Sequence, residues 1–288
     1  QFHPVDVVDA TLALLRDDED RVDLVPWYRG FTGPVVPDGN AAFTVSGVVE
    51  WRGDDLHVLE VPPFREVEAY KDDWVKAAFT DREIQVGERG TDEVVHLILK
   101  NCAAPRADTL ARLGLVKRVG FGNMHLLDAT GVLVKYATPR AILEAHADVR
   151  LRAYEHRLAH DVAVCERDLV VAEAKMRYVE HTLDGTFVMR AFGSAHEAAE
   201  GCRVLGLPEH PGDDGGYAYL LHMSQVSLVA ENVDKFRLKA RDLRDELARR
   251  RALVPRNVWC DELLALRAVL VADPRYARNM VVTITTPS

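Results

Sequence analysis

Two short stretches carry the side chains best suited to chemistry, and recognition of a phosphate backbone, rather than bond making, is the chemistry they could do. The first, Pro26-Trp27-Tyr28-Arg29-Gly30-Phe31-Thr32-Gly33, packs three aromatics, one cation and two glycines into eight residues. It reads two ways. It is an aromatic corner packed onto a sheet, or a turn hugging its own backbone whose Arg29, Trp27 and Tyr28 meet phosphates. The second, Lys117-Arg118-Val119-Gly120-Phe121-Gly122-Asn123, is again basic, glycine-rich and aromatic. It is a further phosphate contact through Lys117, Arg118 and Asn123, or a surface turn with solvated cations. Composition leaves both pairs of readings open.

Bond-making constellations do not assemble. The chain has no GxxxxGK[ST] loop, no GxGxxG, no HExxH and no GxSxG. His156 and His160 stand four apart at helical spacing, with no carboxylate of suitable geometry. They read as solvated or interhelical groups rather than metal ligands. The acidic run Asp17 to Asp23 reads as a solvated loop, since nothing there defines an oxygen cage. No nucleophile, base and oxyanion stabiliser come together, so no catalytic residue is assigned to this chain.

Composition bounds the class without choosing a role. The chain has 288 residues, 48% hydrophobic and 28% charged, the balance of an ordinary globular protein. Its formal charge of −9 argues against a surface that is basic throughout, though not against a local basic groove. No run approaches the ~18 apolar residues of a membrane span, and residue 1 does not open a signal peptide. Cys102, Cys165, Cys202 and Cys260 form no CxxC, which favours a reducing compartment over a disulfide framework or zinc site.

The candidate contacts need elements to hold them. Pro4 to Arg16 predicts a helix behind an N-terminal proline, with Val5, Val8, Leu12 and Leu15 on one face. Ala42 to Val61 alternates as a hairpin or meander broken at Gly53-Asp54-Asp55 and ended by Pro62-Pro63. Val67 to Phe79 predicts a helix, Ile84 to Gly87 a short strand, and Val94 to Lys100 a buried strand. Ala107 to Leu115 predicts a helix stopped at Gly114, and Met124 to Tyr136 two short strands around Asp128-Ala129-Thr130-Gly131. Thr138 and Pro139 then stand as N-cap and first residue of another helix.

The longest signal follows. Leu151, Tyr154, Leu158, Val162, Cys165, Leu169, Ala172, Met176, Val179 and Leu183 alternate steps of three and four. This is a narrow stripe that needs a partner helix along a rod on the order of 50 Å. Asp184-Gly185 predicts its end. A second stripe, Val226, Val229, Val233, Phe236, Ala240, Leu243 and Leu247, stops by Pro255. Two stripes around an insert predict an antiparallel coiled-coil arm with a small helical globule at its tip. In that insert Tyr217, Tyr219, Leu220, Leu221 and Met223 form an apolar cluster, a candidate homodimer contact. The alternative is that the cluster packs only on the arm's own end.

Taken together, several stretches resemble one family, the type IIA DNA topoisomerases in their eukaryotic and large-virus form. Pro26 to Gly33 is similar to that family's aromatic-basic turn. Val58-Leu59-Glu60-Val61-Pro62, with Trp74 downstream, is similar to its strand ending in Glu-Leu-Pro. Asn123-Met124-His125-Leu126-Leu127-Asp128, with Gly131, Lys135 and Tyr136, resembles its Asn-Met-x-Leu-Phe-Asp hairpin. Arg150-Leu151, Tyr154 and Arg157 resemble the opening of its arm, and Lys175 to Val179 a step near the arm's far end. Tyr217 to Met223, with Ser227, Leu228 and Glu231, is similar to its Tyr-Asp-Tyr-Leu-Leu-x-Met segment, and Pro255, Trp259, Asp261 and Leu263 to its return helix. Leu127, Pro63 and Ala218 depart from the family pattern and mark a divergent member.

The resemblance implies an α+β chain. Its parts would be a helix and linker from the winged-helix region (1–24), a mixed α/β tower (25–138), a coiled-coil arm (139–184 and 225–254), a C-gate dimerisation globule (185–224) and a return helix with tail (255–288). It implies double-stranded DNA and a second copy as partners, and Mg²⁺ and ATP as cofactors of the whole enzyme but not of this chain. Upstream TOPRIM, winged-helix and ATPase domains would hold the catalytic tyrosine, the metal and the nucleotide, leaving this chain inactive alone, as a C-terminal fragment or one half of a split parent. Gly185 and Pro255 would be hinges. Localisation would be nuclear if cellular, or a viral factory or virion, with no membrane. The competing class is a non-catalytic dimeric coiled-coil scaffold. A tRNA-binding hairpin of a synthetase would need a nucleotide-binding signature that is lacking.

Overall fold

A computed structural model of the chain describes residues 1–18, 24–39, 42–63, 65–75, 85–91, 94–100, 109–212 and 216–276. The acidic residues 19–23, the far part of the expected helix beyond Val75, Ile84, Cys102 and the tail from 277 lie outside these residues, as does the side chain of Trp74. The chain divides into two units, Gln1–Val149 with Cys260–Ser288, and Arg150–Trp259.

The first unit opens with α1 (Pro4–Leu15), whose Val5, Val8, Leu12 and Leu15 are buried as the spacing predicts. His3 is its N-cap. The ring Nδ1 accepts the Val5 amide at 3.2 Å, and Nε2 lies 3.0 Å from the Tyr276 carbonyl. That pairing requires the tautomer with its proton on Nε2. Arg267 on α8 (Pro255–Ala272) makes a forked ion pair with Asp9 on α1.

Two sheets follow. β1 (Val35–Pro37), β2 (Ala42–Ser46) and β7 (Val116–Gly120) form an antiparallel sheet in the order β1-β2-β7. β3 (Val48–Arg52), β4 (Asp55–Glu60), β5 (Val86–Glu88) and β6 (Leu97–Leu99) form a second in the order β3-β4-β6-β5. The expected hairpin at Gly53 is present, with Gly53 at φ +64°. The alternation from Phe43 to Trp51 is not one run, however. The chain changes sheet at Gly47, whose amide donates to Leu115 O at 2.7 Å. A Cβ at Gly47 would strike the carbonyl oxygen of Glu60, so only glycine lets the backbones cross there.

The second sheet covers a core of Leu56, Val58, Tyr70, Val75, Leu97, Leu99, Leu113 and Leu115. Tyr70 comes from α2 (Val67–Tyr70), which continues as a wider π turn over Lys71–Val75. The buried strand expected over Val94 to Lys100 is paired only at Leu97–Leu99, since its neighbour β5 is equally short. Leu113 and Leu115 follow α3 (Thr109–Arg112), with Gly114 at φ +62° as its left-handed stop. Lys117 and Arg118, expected in a turn, lie in strand β7, paired opposite Val45 and Thr44. β8 (His125–Leu127) and β9 (Leu133–Lys135) form the expected hairpin. Its Asp128 carboxylate accepts from the Thr130 amide and hydroxyl and from the Val132 amide.

On the face of the second sheet away from that core, His57 Nδ1 lies 2.9 Å from His96 Nε2. One ring must donate and the other accept, so a second proton would set two N–H groups against each other. Burial holds the His57 imidazole below the ordinary histidine range. Arg52 and His96 push the same way, and the facing carboxylates Glu50 and Asp55 only partly oppose them. A lowered histidine pKa favours the neutral folded form. Its stabilisation is therefore present above the ordinary value near ~6.5 and is lost as pH falls through the folded-state value. Urea midpoints are expected to drop between pH 7.5 and pH 5 by more in the wild type than in His57→Gln. Equal drops would assign the acid sensitivity elsewhere.

The second unit contains most of α4 (Pro139–Leu183), a 45-residue helix on the order of 65 Å long. Thr138 Oγ1 accepts the Ala141 amide at its start, and Gly185 at φ +80° follows its end. α5 (Ala195–Val204) and α6 (Ala218–Leu221) come next, then α7 (Ala230–Arg251). Val226 and Val229, expected to open the second stripe, precede α7 and are exposed.

α4 and α7 pack antiparallel. Arg237 meets Glu180, Arg244 meets Glu173, and Arg251 meets Glu166. Arginines and glutamates both step by seven in opposite directions, which is the register of a heptad-spaced antiparallel pair. Along this pair Tyr154, Leu158, Cys165, Ala172 and Val179 of α4 are buried, as are Val233, Ala240 and Leu247 of α7. Near one end Trp259 stacks on Tyr154 at 5.9 Å, and Arg157 lies 4.4 Å from the Tyr154 ring centre.

Candidate nucleic-acid interface and helical globule

The first unit brings the two aromatic-basic stretches together. The amide of Trp27 donates to Gln1 O at 2.8 Å, and Phe2 bridges to Pro26. The Trp27 ring meets His3 edge-on at 4.7 Å. Phe121, from the other stretch, packs on Phe43 at 5.4 Å and on Phe2 at 6.3 Å. The N-terminal residues Gln1 to His3 thus lie between stretches some ninety positions apart.

Within the first stretch the structure separates buried residues from exposed ones. Tyr28 is buried, packs edge-on against Phe31, and has its phenol pushed up by burial. That is the aromatic corner. Trp27 is half-buried, while Arg29 and Gly30 are exposed, with Gly30 at φ +82°. Phe31 N donates to Tyr28 O, closing the turn. The turn is then clasped from behind by Glu60. Its Oε2 accepts the Thr32 amide at 2.8 Å and the Gly33 amide at 2.9 Å, and its Oε1 the Thr32 amide at 3.1 Å. Arg29 also lies close enough to Asp273 to help hold that carboxyl below its usual range, after the larger effect of Arg275.

The cations of the second stretch are divided. Successive strand residues face opposite sides of a sheet. Lys117 therefore shares the face of buried Val45, and Arg118 the face of Thr44 and Val36. Arg118 pairs with Asp38 at 2.7 Å. Asn123 is exposed, with its side-chain oxygen 3.1 Å from His125 Nδ1. Among the described residues no three His, Cys, Asp or Glu side chains are placed to hold a metal ion.

In the second unit the residues between α4 and α7 join Ala174 and Tyr178 of α4 in a core with Phe187, Ala198, Cys202, Leu207, Tyr217 and Leu220. Tyr217 and Leu220 therefore belong to that interior, while Tyr219, Leu221 and Met223 pack partly buried against it. The Tyr219 hydroxyl donates to Pro208 O at 2.7 Å, and burial pushes the phenol up to about 12. Burial likewise pushes the Cys202 thiol up to about 11, so that sulfur is packing rather than a nucleophile. The apolar side chains this globule leaves to solvent are others: Val188, Met189, Val204 and Val226. Val204 also lines a groove of about 510 Å³ with Phe187, Phe192 and Leu205.

Sequence reasoning missed Glu60 as the clasp, the charge ladder of the helix pair, and these exposed valines. Glu60 and the ladder had signals. A glutamate closes the strand run before Pro62, and Glu166, Glu173 and Glu180 repeat every seven residues, as do Arg237, Arg244 and Arg251. Nothing in the local sequence marked which apolar residues of the insert would face outward.

Known proteins are similar to this chain over most of its length. "DNA topoisomerase 2" of Arabidopsis thaliana is 26% identical over 314 residues, covering 92% of this chain and 21% of the relative. The protein of the same description from Acanthamoeba polyphaga mimivirus is 28% identical over 171 residues, covering 55% of this chain and 14% of the relative. A crystal structure of the Plasmodium falciparum topoisomerase II DNA-binding, cleavage and re-ligation domain superposes with a TM-score of 0.66 at 17% identity. It covers 94% of this chain and 42% of that one. The α+β class expected from the sequence is the fold of that structure. The chain spans about a fifth of the length of its Arabidopsis, Penicillium chrysogenum and Dictyostelium discoideum relatives. With the family model for the A subunits of DNA gyrase/topoisomerase IV matching residues 1–264, the chain belongs to that family.

Proposed function

We propose that this chain is the part of an ATP-dependent type II DNA topoisomerase that binds the gate duplex and forms the dimeric exit gate. The family match over residues 1–264 carries the reading. The convergence of the two aromatic-basic stretches beside Gln1 to His3 supports the DNA contact, with Trp27, Tyr28, Arg29, Lys117, Arg118 and Asn123 as its candidates. Arg29 is the exposed cation of the clasped turn, whereas Tyr28 would act by supporting it. The catalytic tyrosine, the Mg²⁺ ligands and the ATP site are assigned, on this reading, to TOPRIM, winged-helix and ATPase segments outside this chain. The setting is nuclear in a cell, or a viral factory or virion. Among the described residues no helix is long and apolar enough to cross a membrane.

The gate contact belongs to the globule of 185–224 and its border. Tyr217 and Leu220 shape it from inside, and Val188, Met189, Val204 and Val226 offer the surface a second copy would cover. A small apolar contact at the end of a long helix pair would suit an interface that opens and recloses. Gly185 and Pro255 are the proposed hinges.

Two measurements test this. Sedimentation equilibrium is expected to show a wild-type dimer that Val204→Asp/Val226→Asp abolishes without loss of helicity. A dimer that survives would move the contact onto the helix pair and favour the non-catalytic scaffold. For DNA, binding is expected to be salt-dependent and nearly sequence-independent, and Arg29→Ala should reduce the slope of log K against log salt by about 1. A slope indifferent to Arg29→Ala would remove the turn from the DNA contact.

A further inference from the structure

We infer that Glu60 is a positioning residue for nucleic-acid binding, holding the Trp27–Arg29 turn in the pose from which Arg29 meets a phosphate. The inference rests on the proposed role of that turn as a duplex contact. Two consecutive amides, Thr32 and Gly33, converge on the Glu60 carboxylate. Such an arrangement is a backbone nest for an anion, and hydrogen bonds to an ionised acceptor are the strong kind.

The clasp closes a mechanical circuit. A Cβ at Gly33 would strike Ser46 O, and one at Gly47 would strike Glu60 O, so turn, sheet crossover and strand end touch backbone to backbone. Upstream, Trp27 N is tied to Gln1 O, and within the turn Phe31 N is tied to Tyr28 O. Arg29 therefore stands exposed between anchors on both sides. A contact ordered before binding loses less entropy on binding than one ordered by it. Glu60 also fills the Thr32–Gly33 nest itself, leaving the phosphate to Arg29.

The sign of the effect separates positioning from charge. Deleting a carboxylate beside a DNA-binding surface should by itself tighten binding, through removal of like-charge repulsion. Deleting a clasp should weaken it. The test is fluorescence anisotropy of the full chain with a fluorescein-labelled duplex at several salt concentrations, well below each variant's melting temperature. Glu60→Ala is expected to bind about tenfold more weakly with an unchanged salt slope, because no cation is lost. Glu60→Gln, which keeps one oxygen for both amides, should stay within about threefold of wild type. If Glu60→Ala does not fold, Glu60→Asp replaces it. Its charge is kept but its reach is one methylene short, and it should weaken binding as the alanine would. Glu60→Ala binding as tightly as wild type or more tightly, or Glu60→Asp binding like wild type, overturns the inference. Arg29→Ala distinguishes the two layers. If it leaves affinity and slope unchanged, the turn is not a DNA contact and the inference falls with that reading. If it weakens binding while Glu60→Ala does not, only the role of Glu60 is lost.

Discussion

Phe187→Ala is expected to melt the helical globule between Asp184 and Leu228 while the helix pair behind it stays folded. Phe187 is 1% exposed and lies 5.1 Å from the Tyr178 ring and 5.2 Å from the Phe192 ring. Its removal should cost about 3–5 kcal/mol, the transfer of an aromatic side chain plus the cavity left behind. A larger domain would absorb that loss. Among the described residues this globule's core has eight buried side chains, two of them, Ala174 and Tyr178, lent by α4. A unit this small has little margin. Hydrogen exchange is the direct readout. Amides of α5 should lose protection, while those near Cys165 and Ala172, paired along α7, should keep it. The proposed dimer should be lost in the same variant. Uniform loss of protection through both long helices would show that globule and helix pair fold as one unit. Unchanged protection would mean that the Phe187 contacts carry little energy.

The second large effect is expected from the charge ladder. The triple variant Arg237→Glu/Arg244→Glu/Arg251→Glu should destabilise the helix pair by about 2–3 kcal/mol. Each rung is roughly half exposed. Each therefore contributes only about 0.2–1 kcal/mol as an ion pair, and reversal replaces that attraction with a repulsion of similar size. The six-residue swap, which adds Glu166→Arg, Glu173→Arg and Glu180→Arg, should restore most of the loss, because the heptad register is symmetric to exchange of sign. Urea midpoints at low and high salt check this. The gap between the triple variant and wild type should narrow as salt screens the rungs. If the swap does not recover stability, the apolar seam alone holds the register and the ladder is incidental.

Local periodicity was legible wherever an element is held by its own repeat. The helix at Pro4, the long helix after Pro139 and its stop at Gly185 follow from capping residues and a three-four spacing that no tertiary contact overrides. Short strands were legible in place but not in extent. Val94 to Lys100 has the composition of a seven-residue strand, yet only the three residues with partners on both sides are paired. Strand length is set by the neighbours, which composition does not contain. The change of sheet at Gly47 was hidden for the same reason. A glycine within an alternating run looks like any strand residue until another backbone, here the carbonyl of Glu60, is placed against it.

The sequence by itself determined the α+β class, the two long helical stripes and the family, because each depends on residue types at fixed spacing along the chain. Tertiary structure alone decided what those residues do. It buried Tyr28 and left Arg29 exposed, set Lys117 and Arg118 on opposite faces of one strand, and drew Tyr217 and Leu220 into the interior while Val204 and Val226 stayed in solvent. It also brought Glu60 to the amides of Thr32 and Gly33. Side-chain type states which contacts a residue can make. Which of them it does make is fixed by packing among residues far apart in the chain, where burial of one face against another selects between chemically equal candidates.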